Sequence, residues 1–138
     1  MTEENKASTK TVLLKGKIFS GSGEAARFTA LPWVKRQIKE KLGFTPYLGT
    51  LNLKLTGEYA GVRKLLENLE AIEILPEPGY CSGKIFRAHI ENDVSCAVVL
   101  PCVKNYPEDI LEIIAPLNLR EKLKLKDGDE VKVEISFE

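Results

Sequence analysis

Apolar residues recur at every second position in two stretches far apart in the chain, Leu51, Leu53 and Leu55 near the middle and Val131, Val133, Ile135 and Phe137 at the end. A period of two puts those side chains on one face of an extended strand and their neighbours on the other, so each stretch predicts a strand with one covered and one wet face. Further strand-like runs occupy 11–19, the short AIEILP, 84–91, 95–101 and 109–116. Asn92 and Asp93 separate two of these runs as turn residues of a hairpin would, and an Asp-Gly turn precedes the last strand. In DILEIIAP the period is ambiguous, but β-branched isoleucines and the closing proline favour a strand. Gly16 interrupts the first run and predicts a bulge or a close backbone approach.

Helical spacing is confined to shorter pieces. Leu31, Val34, Ile38 and Leu42 fall on one stripe, with Pro32 suited to a first turn and Gly43 placed where a left-handed residue ends a helix. Val62, Leu65, Leu66 and Leu69 repeat the spacing, and LNLREKLKL reads as a loop entering one or two helical turns. GSGEAARF (21–28) reads as a loop, and residues 1–10 as a flexible tail before one domain over 11–138. About six strands with one substantial helix, and no regular alternation of strand and helix, predict a mainly β, closed or nearly closed barrel.

Composition narrows the function. Lysine plus arginine and aspartate plus glutamate number 20 each, so no strong field gathers nucleic acid or an anionic membrane. The first ten residues are polar and no run approaches bilayer-spanning length, which predicts a cytoplasmic protein. Cys81, Cys96 and Cys102 are odd in number and lack Cys-x-x-Cys spacing, which argues for reduced thiols and against a disulfide framework or zinc site.

Several residues could carry chemistry. Gly21-Ser22-Gly23 after a strand could wrap a phosphate with backbone N–H groups, or be a plain turn, since neither a P-loop ending nor a dinucleotide fingerprint follows. Thr50 and Asn52 project from one strand face, where two neutral oxygens could share a hard cation or could simply face water. Glu112 among isoleucines and a leucine is either a buried carboxylate in need of donors or an exposed position on an alternating strand. Arg120 could meet phosphate or a base edge, and His89 reads as structural.

Taken in order, GSGEAARF, LGFTPYLGTLNLKL and ILEIIAPLNLREKLKLKDGDEVKV resemble the archaeal CTP-dependent riboflavin kinases over nearly the whole chain after the tail. The resemblance implies a six-stranded Greek-key barrel of the cradle-loop type and transfer of the γ-phosphoryl group of CTP to riboflavin, giving FMN and CDP. It implies that Gly21, Ser22, Gly23, Glu24, Ala25, Ala26, Arg27 and Phe28 wrap the nucleotide and that Leu117, Asn118, Leu119 and Arg120 border its cytidine. It further implies Mg²⁺ on Thr50 and Asn52, and riboflavin at Glu112. One departure stands out: where the family carries an Arg-Thr pair upstream of that glutamate, this chain reads Val103-Lys104-Asn105. Some relatives begin with a winged-helix domain, which is not expected in the short segment before the first strand.

Phosphoryl transfer to a hydroxyl asks chiefly for alignment and charge neutralisation, so no base is assigned, although Glu112 could orient or deprotonate the ribityl hydroxyl. Discrimination between cytosine and uracil requires an acceptor for the exocyclic amino group, from backbone carbonyls of 117–120 or from the side-chain oxygen of Asn118. The competing reading is a non-catalytic barrel that regulates transcription or binds a ligand, which the zero net charge disfavours. Riboflavin and CTP are the expected partners, without nucleic acid or membrane, and a monomer is compatible with the sequence.

Overall fold

Seven strands form one sheet in the computed structural model, which describes residues 10–21, 24–80, 82–91, 93–102 and 106–137. They are β1 (Lys10–Phe19), β2 (Leu51–Leu55), β3 (Ile72–Ile74), β4 (Gly83–Ile90), β5 (Val94–Pro101), β6 (Ile110–Ile114) and β7 (Glu130–Phe137). All pairings are antiparallel in the order β3-β4-β5-β6-β2-β1-β7, and β7 returns to β4 through Ala88↔Ile135, His89↔Glu134 and Ile90↔Val133. Six strands therefore close into a barrel, and β3 is an added strand on the flank of β4. The mainly β barrel read from the alternating pattern is the fold observed. Of the tail expected over 1–10, Lys10 instead opens β1, where it pairs with Phe137, and 1–9 lie outside the described residues.

Alternation fills the barrel. Leu53 and Leu55 of β2, Leu111 and Ile113 of β6, and Val131, Val133 and Ile135 of β7 all point into one buried cluster with Leu14, Phe86 and Val98. Each such side chain contributes about 1.5–3 kcal/mol relative to exposure. Gly16 keeps regular register with Leu55 on one side and Val131 on the other, so it is no bulge. It is a close approach: a Cβ there would stand 3.2 Å from both Leu53 Cβ and the Lys54 carbonyl.

Among the described residues four α-helices decorate the barrel: α1 (Glu24–Thr29), α2 (Pro32–Leu42), α3 (Val62–Glu67) and α4 (Leu119–Leu123). Pro32 opens α2, and Gly43 closes it at φ 89° with its N–H on the Lys39 carbonyl. Contrary to the loop expected over 21–28, residues Glu24–Thr29 are helical, and Ala25 packs into an apolar layer. That layer joins Ala25, Trp33, Val34 and Ile38 to Ile74, Ile85, Val99 and Ile114, so the barrel wall is covered on its outside as well as its inside.

The covering also changes the reading of β2. Its outward face is not a wet one: Asn52 is buried and only Lys54 is exposed. At the far flank, α2 reaches the unpaired side of β3. Gln37 donates to the Leu75 carbonyl at 3.0 Å and accepts from the Leu75 N–H at 2.8 Å, while Lys41 Nζ donates to the Glu73 carbonyl at 2.7 Å.

Candidate active site

Alternation along β6 sends Leu111 and Ile113 into the barrel, so Glu112 points to the outer wall, beneath the start of α1. Register places Glu112 opposite Asn52 of β2 on one side and Val99 of β5 on the other. Its exposure is 1%. A carboxylate so buried is costly unless donors surround it, and they do. The Thr50 hydroxyl donates to Oε1 at 2.7 Å, the Ala25 N–H donates to Oε2 at 3.2 Å, and the Tyr106 hydroxyl also donates to Oε2. In the orientation that satisfies both ends of the Asn52 amide, its nitrogen donates to Glu112 Oε1 at 3.3 Å and its oxygen accepts from the Gly21 N–H at 3.2 Å. With about four lone-pair sites on a carboxylate, these donors fill Glu112.

Behind Tyr106 stands a buried cation. Arg63 of α3 is 3% exposed and its guanidinium lies over the Tyr106 ring. One end of it donates to the Ile110 carbonyl at 3.3 Å, and Nε is 3.5 Å from Glu67 Oε2. Burial pushes the Arg63 pKa below its ordinary value, while Tyr106, Glu67 and Glu112 hold it up.

Thr50 also belongs to a cavity of about 200 Å³ lined by Tyr47, Leu48, Gly49, Thr50, Leu51 and residues 117–120. Asn118 caps α4, its Oδ1 accepting from the Glu121 N–H at 3.2 Å. Arg120 turns along the wall to Asp127 at 2.7 Å, where Ser20 also donates at 3.1 Å, and these two bonds, Arg120's first, hold the Asp127 carboxyl below its usual range.

Of the expected site residues, the structure brings Gly21, Ala25, Thr50, Asn52 and Glu112 into one cluster, and Leu117, Asn118, Leu119 and Arg120 around the adjoining cavity. Glu24, Ala26, Arg27 and Phe28 continue α1, with Phe28 edge-on to Trp33 at 6.2 Å. Ser22, Gly23, Val103, Lys104, Asn105 and Cys81 lie outside the described residues. Cys96 is buried, its thiol pushed up to about 12 by desolvation, and Cys102 is exposed. Arg63, Tyr106 and Tyr47 escaped the sequence reading: nothing in their spacing singles them out, and only the fold joins α3 to β6.

The model of the family CTP-dep_RFKase, described as Domain of unknown function DUF120, matches residues 18–135. Among curated proteins, the chain is 46% identical over 132 residues to a riboflavin kinase of Pyrobaculum aerophilum, covering 91% of this chain and 61% of the relative. It is 41% identical over 129 residues to one of Archaeoglobus fulgidus, covering 91% and 55%. To a riboflavin kinase of Sulfurisphaera tokodaii it is 39% identical over 132 residues, covering 92% and 97%. The chain thus spans about three-fifths of the length of the first two relatives and nearly all of the third.

Proposed function

The chain belongs to the CTP-dependent riboflavin kinase family, and on that premise we propose that it transfers the terminal phosphoryl group of CTP to the ribityl 5′-hydroxyl of riboflavin, giving FMN and CDP. The observation that carries this reading is the double position of Thr50, which lines the cavity and donates to the buried Glu112 carboxylate. A kinase must set the γ-phosphate between its nucleotide and its acceptor, and Thr50 stands between the two halves.

In the reaction the ribityl oxygen bonds to the γ-phosphorus as the bond from that phosphorus to the bridging oxygen of CDP breaks, and the hydroxyl proton passes to solvent. Residues 117–120 border the base, and 21–28 wrap the phosphates. Glu112 receives the ribityl hydroxyl, which reaches the filled carboxylate by taking the place of one of its present donors. That contact orients the attacking oxygen.

The donor set suits Mg²⁺. Thr50 gives its proton to Glu112 and keeps lone pairs on Oγ1, Asn52 offers an amide oxygen nearby, and among the described residues no cluster of three or more acidic, histidine or cysteine side chains competes. Thr50 and Asn52 would hold the ion, which supplies charge neutralisation on the phosphoryl oxygens while the triphosphate brings the negative ligands. The barrel over 11–138 is proposed as the catalytic domain, supported by the relative matched over 97% of its length, and its proposed setting is the cytoplasm.

The test is incubation of purified protein with riboflavin, Mg²⁺ and each nucleoside triphosphate separately, followed by chromatography for FMN. FMN from CTP, diminished in Thr50→Val at low Mg²⁺, is the expected result. FMN from ATP in preference to CTP, or none from either, overturns the reading.

A further inference from the structure

The amide of Asn118 has one orientation, because a backbone group fixes it: Oδ1 accepts from the Glu121 N–H at 3.2 Å. Nδ2 therefore faces Tyr47 and donates to its hydroxyl oxygen at 3.2 Å. A phenolic hydroxyl is both donor and acceptor, so an amide hydrogen on one side of the oxygen sends the phenol's own hydrogen to the other. Tyr47 is 48% exposed and lines the cavity with Leu48, Thr50, Leu117 and Arg120. Among the described residues no acceptor takes its hydrogen.

The same bonds turn the other polar groups aside. The side-chain oxygen of Asn118 already accepts from the Glu121 N–H, and Arg120 is drawn to Asp127. What the cavity presents to a base is a hydroxyl donor whose rotation a neighbour has set. Ring N3 of cytosine is a bare acceptor, whereas N3 of uracil carries a hydrogen. A donor so directed bonds the first and opposes the second, and a mismatch of that kind discriminates between them.

We propose that Tyr47 selects the base of the nucleotide, donating from its hydroxyl to N3 of cytosine with Asn118 setting the direction of the donor; the inference rests on the nucleotide reading of this cavity. Two variants test it, with folding checked by thermal unfolding. Tyr47→Phe removes the donor. Asn118→Asp keeps a good cap on α4 but offers only acceptors, so the Tyr47 hydrogen turns toward it and the phenol oxygen faces the base.

The measurements are the ratio of kcat/KM for CTP over UTP and the affinities for CDP and UDP by calorimetry. Tyr47→Phe is expected to lower the CTP preference by about tenfold, and Asn118→Asp to move it further toward UTP. Unchanged ratios in the folded variants overturn the role of Tyr47 while FMN formation from CTP leaves the proposed function standing. If Tyr47→Phe does not fold, the direction of the shift in Asn118→Asp decides alone. A wild-type protein indifferent between CTP and ATP overturns both readings together.

Discussion

The guanidinium of Arg63 lies 4.1 Å from the centroid of the Tyr106 ring, and the hydroxyl of that ring donates to Glu112. Three elements meet in this contact: α3 carries the cation, the segment before β6 carries the phenol, and β6 carries the carboxylate. A desolvated cation over an aromatic face contributes about 1–2 kcal/mol, and here it fixes where the phenol can point.

Tyr106→Phe keeps the stacked ring and frees one acceptor site on Glu112 Oε2. Because a buried acceptor left unmet is costly, the ligand-free variant is expected to lose about 1–2 kcal/mol of stability. A ribityl hydroxyl no longer competes with the phenol, so riboflavin is expected to bind at least as tightly as to the wild type. Urea unfolding and flavin fluorescence titration measure the two effects, and weaker flavin binding in a folded variant contradicts the exchange.

Glu112→Gln substitutes one acceptor oxygen with a donor amide among groups that all donate. Ala25 offers a backbone N–H that cannot turn round, so the new amide must face Thr50 and Asn52, where Asn52 can adapt only by giving up the Gly21 N–H. A loss of about 1–3 kcal/mol is expected in urea unfolding. A variant as stable as the wild type argues that the carboxylate is not held as described.

Gly21→Ala puts a Cβ 2.6 Å from Cγ of Asn52. The amide must shift from its place between the Gly21 N–H and Glu112. The expected outcome is a folded barrel whose turnover requires more Mg²⁺ than the wild type, read as a rightward shift in the Mg²⁺ dependence of FMN formation. An unchanged Mg²⁺ dependence separates Asn52 from the metal.

Asp127 gives a pH signature. Its carboxyl sits below its usual value because Arg120 and then Ser20 donate to it, so its folded pKa lies below its unfolded one. The bond to Arg120 therefore adds to stability above the unfolded pKa, and that contribution fades as pH falls through the lowered folded value. A carboxyl-carbon NMR titration should show Asp127 titrating below ordinary aspartates, and Arg120→Ala should return it toward them. Exposure at this surface keeps the effect small.

The strands were legible because one face of each fills the barrel, and a period of two survives wherever a single core is being packed. Leu51, Leu53 and Leu55 announced β2 for that reason. The outer wall was not legible. Whether Asn52 and Glu112 face water depends on α1, whose six residues give too few turns to show a period and whose Ala25 arrives from 87 positions earlier in the chain. Glu112 was weighed as buried or exposed, and the deciding donors lie in segments with no signal of their own. Arg63 looks in sequence like any solvated helix residue, since nothing near it announces that Tyr106 will cover its charge.

The bonds from Gln37 to Leu75 have a consequence for behaviour in concentrated solution. Barrel closure through β4 and β7 leaves β3 as the place where another polypeptide could join the sheet, and there a side-chain amide already makes the paired donor and acceptor contacts that an incoming strand would make. Lys41 adds a charge at the next carbonyl along. The rim most open to fibril-like growth is thus plugged by the protein's own helix, and self-templating would first require α2 to peel away from a layer in which Trp33, Val34 and Ile38 are buried.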